Sequence, residues 1–219
     1  MAEIFDVLSL CPLFEGIDRG DLGAMTACLG AQRRRFARGE AILQEGDPAR
    51  TVGIMLSGRA QIVRTDYYGR GSVMASVGEG ELFGEAFACA DVEALPVSVI
   101  AQAEGEALLV DVKRIMTTCD QACAFHSRMI FNLLRIVANK NLALHRRAEI
   151  TAQRTTREKL MIYLLSQAKR SGKAEFEIPF DRQELADYLE VDRSGLSAEI
   201  SKLRKEGILE SERNEFTLL

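Results

Sequence analysis

The sequence predicts an α+β chain in three parts: a small all-β unit, a long central helix, and a helix-turn-helix closed by a β-hairpin wing. Three observations carry that prediction. Fourteen of the 17 glycines lie between Gly16 and Gly105, and then neither Gly nor Pro occurs from Glu106 to Ser171. Turns need these residues and long helices exclude them, so the first half is strand-and-turn and the middle holds long helix. Third, Asp181 and Asp192 each precede a short amphipathic run, and a polar hairpin follows. The parts are residues 1–117, 118–150 and 151–219.

In the first part, two short helices, around Ile4–Leu10 and Arg19–Leu29, precede the strands. Short apolar or alternating runs then recur between turn signals: Ala41–Leu43, Val52–Leu56, Ala60–Val63, Ser72–Val77, Val97–Ala101 and Ala107–Val112. Many short strands at this spacing imply a small barrel or sandwich. From about Thr118 to Arg147 the period becomes helical. Phe125, Met129, Leu133 and Ile136 form one stripe, and Ile130, Leu134, Val137 and Leu144 a second beside it. A helix apolar on two faces must bury both, one on its own β-unit and the other on the same helix of a second subunit.

Residues 155–219 carry the strongest signal. A helix over Thr156–Ser171 ends at Gly172, and a short strand, Phe176–Phe180, follows. Asp181 caps the next helix in a capping box with Glu184; Leu185, Ala186 and Leu189 face inward, Ala186 being small where another helix approaches. Asp192 caps the following helix, with Leu196, Ile200 and Leu203 on one face, and Gly207 ends it. Such a pair is a helix-turn-helix. The outward face of its second helix presents Arg193, Ser194, Ser197, Ser201, Lys202, Arg204 and Lys205. Hydroxyls and Arg at that helix's start suit base edges in a major groove, and its basic end suits phosphates. Arg182 and Gln183 open the first helix, where backbone N–H groups and a guanidinium hold a phosphate. Ile208–Leu218, turning at Arg213-Asn214, is the wing.

Bulk properties bound this reading. No apolar run is long enough to span a membrane, and Met1-Ala-Glu-Ile-Phe-Asp lacks the basic start of a signal peptide. Five irregularly spaced cysteines are no disulfide framework, which places the chain in a reducing cytoplasm. Net charge is −4, and residues 151–219 hold 12 Lys and Arg against 13 Asp and Glu, so affinity for nucleic acid rests on local clustering. No catalytic triad, phosphate-cradling loop or paired acid and base marks an enzyme.

Taken together, the chain resembles the CRP/FNR superfamily of transcription regulators almost end to end. The resemblance rests on Phe36-Ala-Arg-Gly-Glu40, Glu45-Gly-Asp47, Leu56-Ser-Gly58 and Gly80-Glu-Leu-Phe-Gly-Glu85, then on Arg182-Gln-Glu-Leu-Ala-Asp-Tyr-Leu and Val191-Asp-Arg-Ser194. It implies an N-terminal sensory β-roll of the double-stranded β-helix or jelly-roll type and a central dimerisation helix. It also implies a C-terminal domain that binds a palindromic duplex operator, with RNA polymerase as a further partner.

The departures are informative. In cyclic-nucleotide-binding members of the family, an Arg-Ser or Arg-Thr pair about ten residues beyond the Gly-Glu clamps the cyclic phosphate. Here Gly84-Glu85 is present, but that place reads Leu95-Pro96-Val97. A phosphate buried against Leu and Pro is unpaired, which argues against cyclic AMP or GMP as effector. The polar pair that reads the purine from the dimer helix is Ala143-Leu144 here. Where family members start the recognition helix with Arg-Glu and follow with a later Arg, this chain has Arg193-Ser194 and Ala198, so the family's usual half-sites are not expected.

A different signal is therefore expected. Glu85, Cys89, Leu95, Pro96 and Val97 mark the effector region, and an apolar small molecule is one occupant. Cys119, Cys123 and His126 share a helix face, where they bind a metal or haem, form a redox pair, or simply fill the core. The alternative function is a β-roll sensory protein whose winged helix contacts protein rather than DNA; the muted charge favours it.

Overall fold

A computed structural model of the chain describes residues 2–67, 71–117 and 124–219. These fold as two units, Met1–Ala138 and Asn139–Leu219. Among the described residues no helix is long and apolar enough to cross a membrane.

The first unit is the expected β-roll. Eight strands, β1 (Gln32–Phe36), β2 (Ala41–Leu43), β3 (Thr51–Ser57), β4 (Ala60–Thr65), β5 (Gly71–Val77), β6 (Leu82–Phe83), β7 (Ser98–Ala101) and β8 (Gly105–Asp111), form two antiparallel four-stranded sheets. Their orders are β1-β8-β3-β6 and β2-β7-β4-β5. Helices α1 (Ala2–Leu10) and α2 (Leu22–Cys28) precede the strands, while α3 (Glu85–Cys89) and α4 (Val112–Met116) are short insertions the apolar pattern does not announce. Phe36, Met55, Phe83, Leu95, Val99, Ala101 and Ala107 fill the interior of the roll. The fit there is close: a Cβ on Gly53 would lie 2.1 Å from the Phe83 ring, so only glycine packs at that point of β3.

Strand β1 is absent from the sequence prediction because its run of three arginines lacks an apolar alternation. Tertiary partners hold it instead. Arg33 grips Glu106 with two hydrogen bonds, at 2.8 and 2.5 Å, across the β1–β8 ladder. Arg34 donates to the carbonyl of Ile42 at 2.7 Å and pairs with Glu40.

The long helix α5 runs Ala124–Thr151, ending four residues beyond the predicted Arg147; its predicted start, from 118 to 123, lies outside the described residues. Met129 and Leu133 are fully buried in the core shared with α1, α2 and the first sheet, with Phe125, Ile136 and Val137 packed against it. Buried Asn132 donates from Nδ2 to the carbonyls of Leu13 (3.0 Å) and Glu15 (2.9 Å), satisfying two backbone groups of the segment after α1. Of the second expected stripe, Leu134 and Leu144 are exposed, but Val137 packs against the core, because it neighbours Leu133 on the helix surface; Phe131, Leu134, Leu142 and Leu144 are between 56% and 68% exposed.

The second unit contains α6 (Thr156–Ser171), β9 (Glu175–Glu177), α7 (Arg182–Leu189), α8 (Arg193–Lys205) and the hairpin β10 (Leu209–Glu212) and β11 (Glu215–Leu218). The expected capping box of Asp181 and Glu184 is formed, and Thr155 with Glu158 forms another at the start of α6. Leu185, Ala186, Leu189, Leu196 and Leu203 are fully buried where α7 meets α8, each Leu contributing about 1.5–3 kcal/mol of apolar burial. The strand expected over Phe176–Phe180 stops at Glu177. Phe180 turns instead into an aromatic group with Tyr163 and Tyr188, its ring 4.9 Å from that of Tyr188. Strands β10, β11 and β9 make a three-stranded antiparallel wing.

Candidate nucleic-acid interface and effector region

Helix α8 buries Leu196, Ile200 and Leu203 and turns Arg193, Ser197, Ser201, Lys202 and Lys205 outward, all exposed. Among the described residues Arg193, Lys202, Arg204 and Lys205 form no ion pair. The carboxylates of Glu199 in the helix and Glu206 just after it are engaged elsewhere: Arg157 of α6 holds Glu206 at 2.6 Å and Glu199 at 3.7 Å. The outward face is thus net basic although the unit as a whole is not.

The N-terminal end of α8 is built by Asp192, whose carboxylate accepts from the Gly195 N–H at 2.9 Å and from the Ser194 hydroxyl. These bonds, the Ser194 hydroxyl first, hold the Asp192 carboxyl below the usual range. Ser194 therefore serves the cap, and Ser197 is the neighbouring hydroxyl left facing out. Gln183 is likewise engaged, donating to Asp187 one turn on at 2.9 Å.

Arg182 is placed differently from a simple surface cation. It is half-buried, its guanidinium 5.7 Å from the centre of the Phe216 ring, and Nη2 donates to the Arg213 carbonyl at 3.3 Å. Nη1 is buried without a hydrogen-bond partner. Burial, and then the nearby charge of Arg193, pull the Arg182 pKa down. Arg182 and Arg193 thus open α7 and α8 with like charges near enough to act on one another.

The wing turns at Arg213-Asn214, with Arg213 at φ 50°. Asn214 ties the turn to β9, donating to Glu177 at 2.6 Å and accepting at its backbone carbonyl from the Ile178 N–H at 2.9 Å. Phe176 and Phe216 point into the core, so the alternation of the strands puts Glu175, Glu177, Glu210, Glu212 and Glu215 on the outer face, where all are exposed. Sequence reasoning passed over this acidic face because the hairpin was read for its turn and not for the parity of its side chains.

In the β-roll, Gly84 adopts φ 79°, and a Cβ there would meet the Thr51 carbonyl at 2.7 Å, so only glycine delivers Glu85 to its place at the start of α3. Glu85 is buried at 3% exposure. Cys89, at the other end of α3, is an exposed residue whose thiol pKa is nevertheless pushed up, first by the partial burial of its sulfur and then by the charge of Glu85. Leu95 and Val97 are buried and Pro96 is exposed; Leu95 packs inside the roll and exchanges backbone bonds with Asp47 (2.8 Å) and Gly46 (2.9 Å). His126 is buried on the first turns of α5, whereas Cys119 and Cys123 lie outside the described residues. Among the described residues no three metal-ligating side chains gather.

Two family models match the chain, "Cyclic nucleotide-binding domain" over residues 33–122 and "Crp-like helix-turn-helix domain" over residues 158–219. Their order along the chain decides the assignment. In both domains and in their order the chain is similar to the CRP/FNR regulators. Over 80 residues it is 30% identical to the "CRP-like cAMP-activated global transcriptional regulator" of Mycobacterium tuberculosis, a match taking in 36% of this chain and 35% of that relative. Over 74 residues it is 32% identical to the "Cyclic AMP receptor protein" of Thermus thermophilus, covering 34% and 33% of the two chains. The chain thus matches about a third of the length of these curated relatives. The c-di-GMP responsive global regulator of Xanthomonas campestris has the same fold, with a TM-score of 0.56, 20% identity, and 92% and 99% of the two chains covered. The CRP/FNR relatives are transcription regulators and not enzymes.

Proposed function

We propose that this CRP/FNR chain is a dimeric, sequence-specific DNA-binding transcription regulator of the cytoplasm, controlled by a signal other than a cyclic nucleotide. The observation that carries the DNA reading is the pair Arg182 and Arg193: neighbouring guanidinium groups at two helix N-termini, one with a buried N–H that has no acceptor. A DNA phosphate supplies the missing charge, while Arg193 and Ser197 reach base edges and Lys202 and Lys205 the flanking backbone. A second copy of the chain covers the outward stripe of α5, since a helix exposing Phe131, Leu134, Leu142 and Leu144 matches itself across a two-fold axis. Two recognition helices then read a palindromic operator, and RNA polymerase is the expected protein partner.

The signal reading rests on the roll. By the sequence resemblance Leu95-Pro96-Val97 stands where the family's phosphate-binding Arg is expected, and the burial of Leu95 in the apolar interior supports a signal other than a cyclic phosphate. Two inputs fit: an apolar small molecule at Glu85, Cys89 and Leu95–Val97, or a metal, haem or redox event at Cys119, Cys123 and His126. The raised thiol of Cys89 speaks against its recruitment as a thiolate ligand at neutral pH. The acidic outer face of the wing favours a second reading, in which the winged helix contacts a basic protein surface rather than DNA.

The test is selection of duplexes from a random pool by the purified chain, followed by affinity measurements at several salt concentrations. An enriched palindrome, bound with a steep negative salt slope, is expected. Binding without sequence preference, or none at low salt, overturns the DNA reading. Metal, haem and free-thiol counts on anaerobically purified protein decide between the two inputs.

A further inference from the structure

The second unit contains a cavity of about 370 Å³ that belongs to neither the recognition helix nor the wing. Its walls come from the last part of α5 (Ala143, Arg146, Ile150), the last turns of α6 (Ser166, Gln167, Lys169, Arg170) and the end of α7 (Tyr188). Arg146, Lys169 and Arg170 are exposed, none forms an ion pair among the described residues, and no carboxylate lines the cavity. Lys169 and Arg170 complement the negative end of α6, which accounts for two of the three cations. Arg146 stands one turn and more before the end of a different helix and has no such role. Tyr163, which packs on the Tyr188 of the cavity wall, has its hydroxyl buried without a hydrogen-bond partner. Its ring lies 5.4 Å from that of Tyr188, and the charge of Arg170 acts upon it.

Three cations without an ion pair, lining one cavity from two helices with no carboxylate among them, suit a compact multivalent anion. We propose that this cavity is a separate binding site for the phosphoryl group of a small phosphorylated ligand, held by Arg146, Lys169 and Arg170. The flanking aromatic faces are already engaged, Tyr188 by Arg147 at 5.7 Å and by Phe180, so the site selects the phosphoryl end and not a stacked base.

The experiment titrates the full-length chain with inorganic pyrophosphate at low ionic strength, by calorimetry and by tyrosine emission. The chain has no tryptophan and four tyrosines, of which Tyr188 lines the cavity and Tyr163 packs on it, so the optical signal reports on the site. Saturable binding of one pyrophosphate per chain is expected, weakened at least about tenfold, or about 1.4 kcal/mol, in Arg146→Ala/Arg170→Ala. Lys173→Ala, an exposed cation outside the cavity, should bind as the parent does. The milder Lys169→Gln gives the same reading if the double variant misfolds. Absence of saturable binding, or equal binding by the cavity variants, overturns the proposal. So does a parent chain that ignores pyrophosphate while the double variant loses affinity for duplex DNA, which makes the cluster a backbone contact.

Discussion

Single residues in this chain take their roles from their immediate partners more than from their type. Arg182 and Arg193 both read as DNA contacts, yet the first is half-buried over Phe216 and the second is exposed on α8. Their substitutions should therefore differ. Arg182→Ala removes a phosphate partner, so binding to specific and random duplexes falls together and the salt slope shrinks by about one unit. Arg193→Ala removes a base-edge donor, costing about 1–3 kcal/mol on the preferred duplex and relaxing the preference at one position. Competition assays on matched and mismatched duplexes separate the two. Cys89 offers a pH test. Burial and Glu85 disfavour its thiolate, so thiolate appears only above the pH at which a free thiol ionises. Iodoacetamide labelling of Cys89, followed by mass spectrometry, should thus rise through a midpoint higher than that of a model thiol. Glu85→Gln should lower that midpoint without removing the shift, since burial is the larger cause. A midpoint below the model thiol's contradicts this account and restores Cys89 as a reactive sensor.

Among the elements, α5 carries more apolar surface than its own chain covers. Its inner stripe is spent on the β-roll core through Met129 and Leu133, and Asn132 fixes its register against the segment after α1. The outer stripe stays uncovered within one chain. Leu134→Glu with Leu142→Glu should shift sedimentation from dimer to monomer, weakening association at least 100-fold, or about 2.7 kcal/mol, while the far-ultraviolet dichroism keeps its helical signal. A variant that still sediments as the parent removes α5 as the dimer surface. Elements with a local signature were legible in the sequence. The helix-turn-helix showed through Asp181, Asp192 and Gly207, whose caps form as expected, and the strands between glycine turns through their apolar runs. What was not legible depends on partners distant in sequence. Strand β1 needs Glu106, 73 residues from Arg33, to make three adjacent arginines extended. The bonds of Asn132 to Leu13 and Glu15 cross 119 and 117 residues, and a polar residue within an apolar helix gave the only hint of them.

At the scale of the whole molecule, the first unit combines the fold of a cyclic nucleotide-binding domain with an apolar interior, and the proposed absence of a nucleotide effector can be tested there. Gly84 still adopts the left-handed turn that delivers Glu85. Leu95, however, has joined Phe83 and Met55 in the interior of the roll. On the proposed reading a charged ligand entering there would displace apolar contacts, and a phosphate buried without a cation costs several kcal/mol. Binding and stability are linked: a ligand present at 100 times its Kd stabilises the folded state by about 2.7 kcal/mol. For a chain of this size that displaces Tm by several degrees, at about 2–4 °C per kcal/mol. Cyclic AMP at millimolar concentration should accordingly leave the thermal midpoint of this chain within about 1 °C of the ligand-free value, and its affinity for the preferred duplex unchanged. Replacing Leu95 by Arg tests whether the lost cation is the whole difference. Because Leu95 is also a core residue, the variant should lose stability and still show no cyclic AMP shift, for the interior that surrounds it has been filled. A midpoint rise of several degrees in the parent chain on adding cyclic AMP would mean that the roll reopens around the nucleotide, and the signal would have to be reassigned to it.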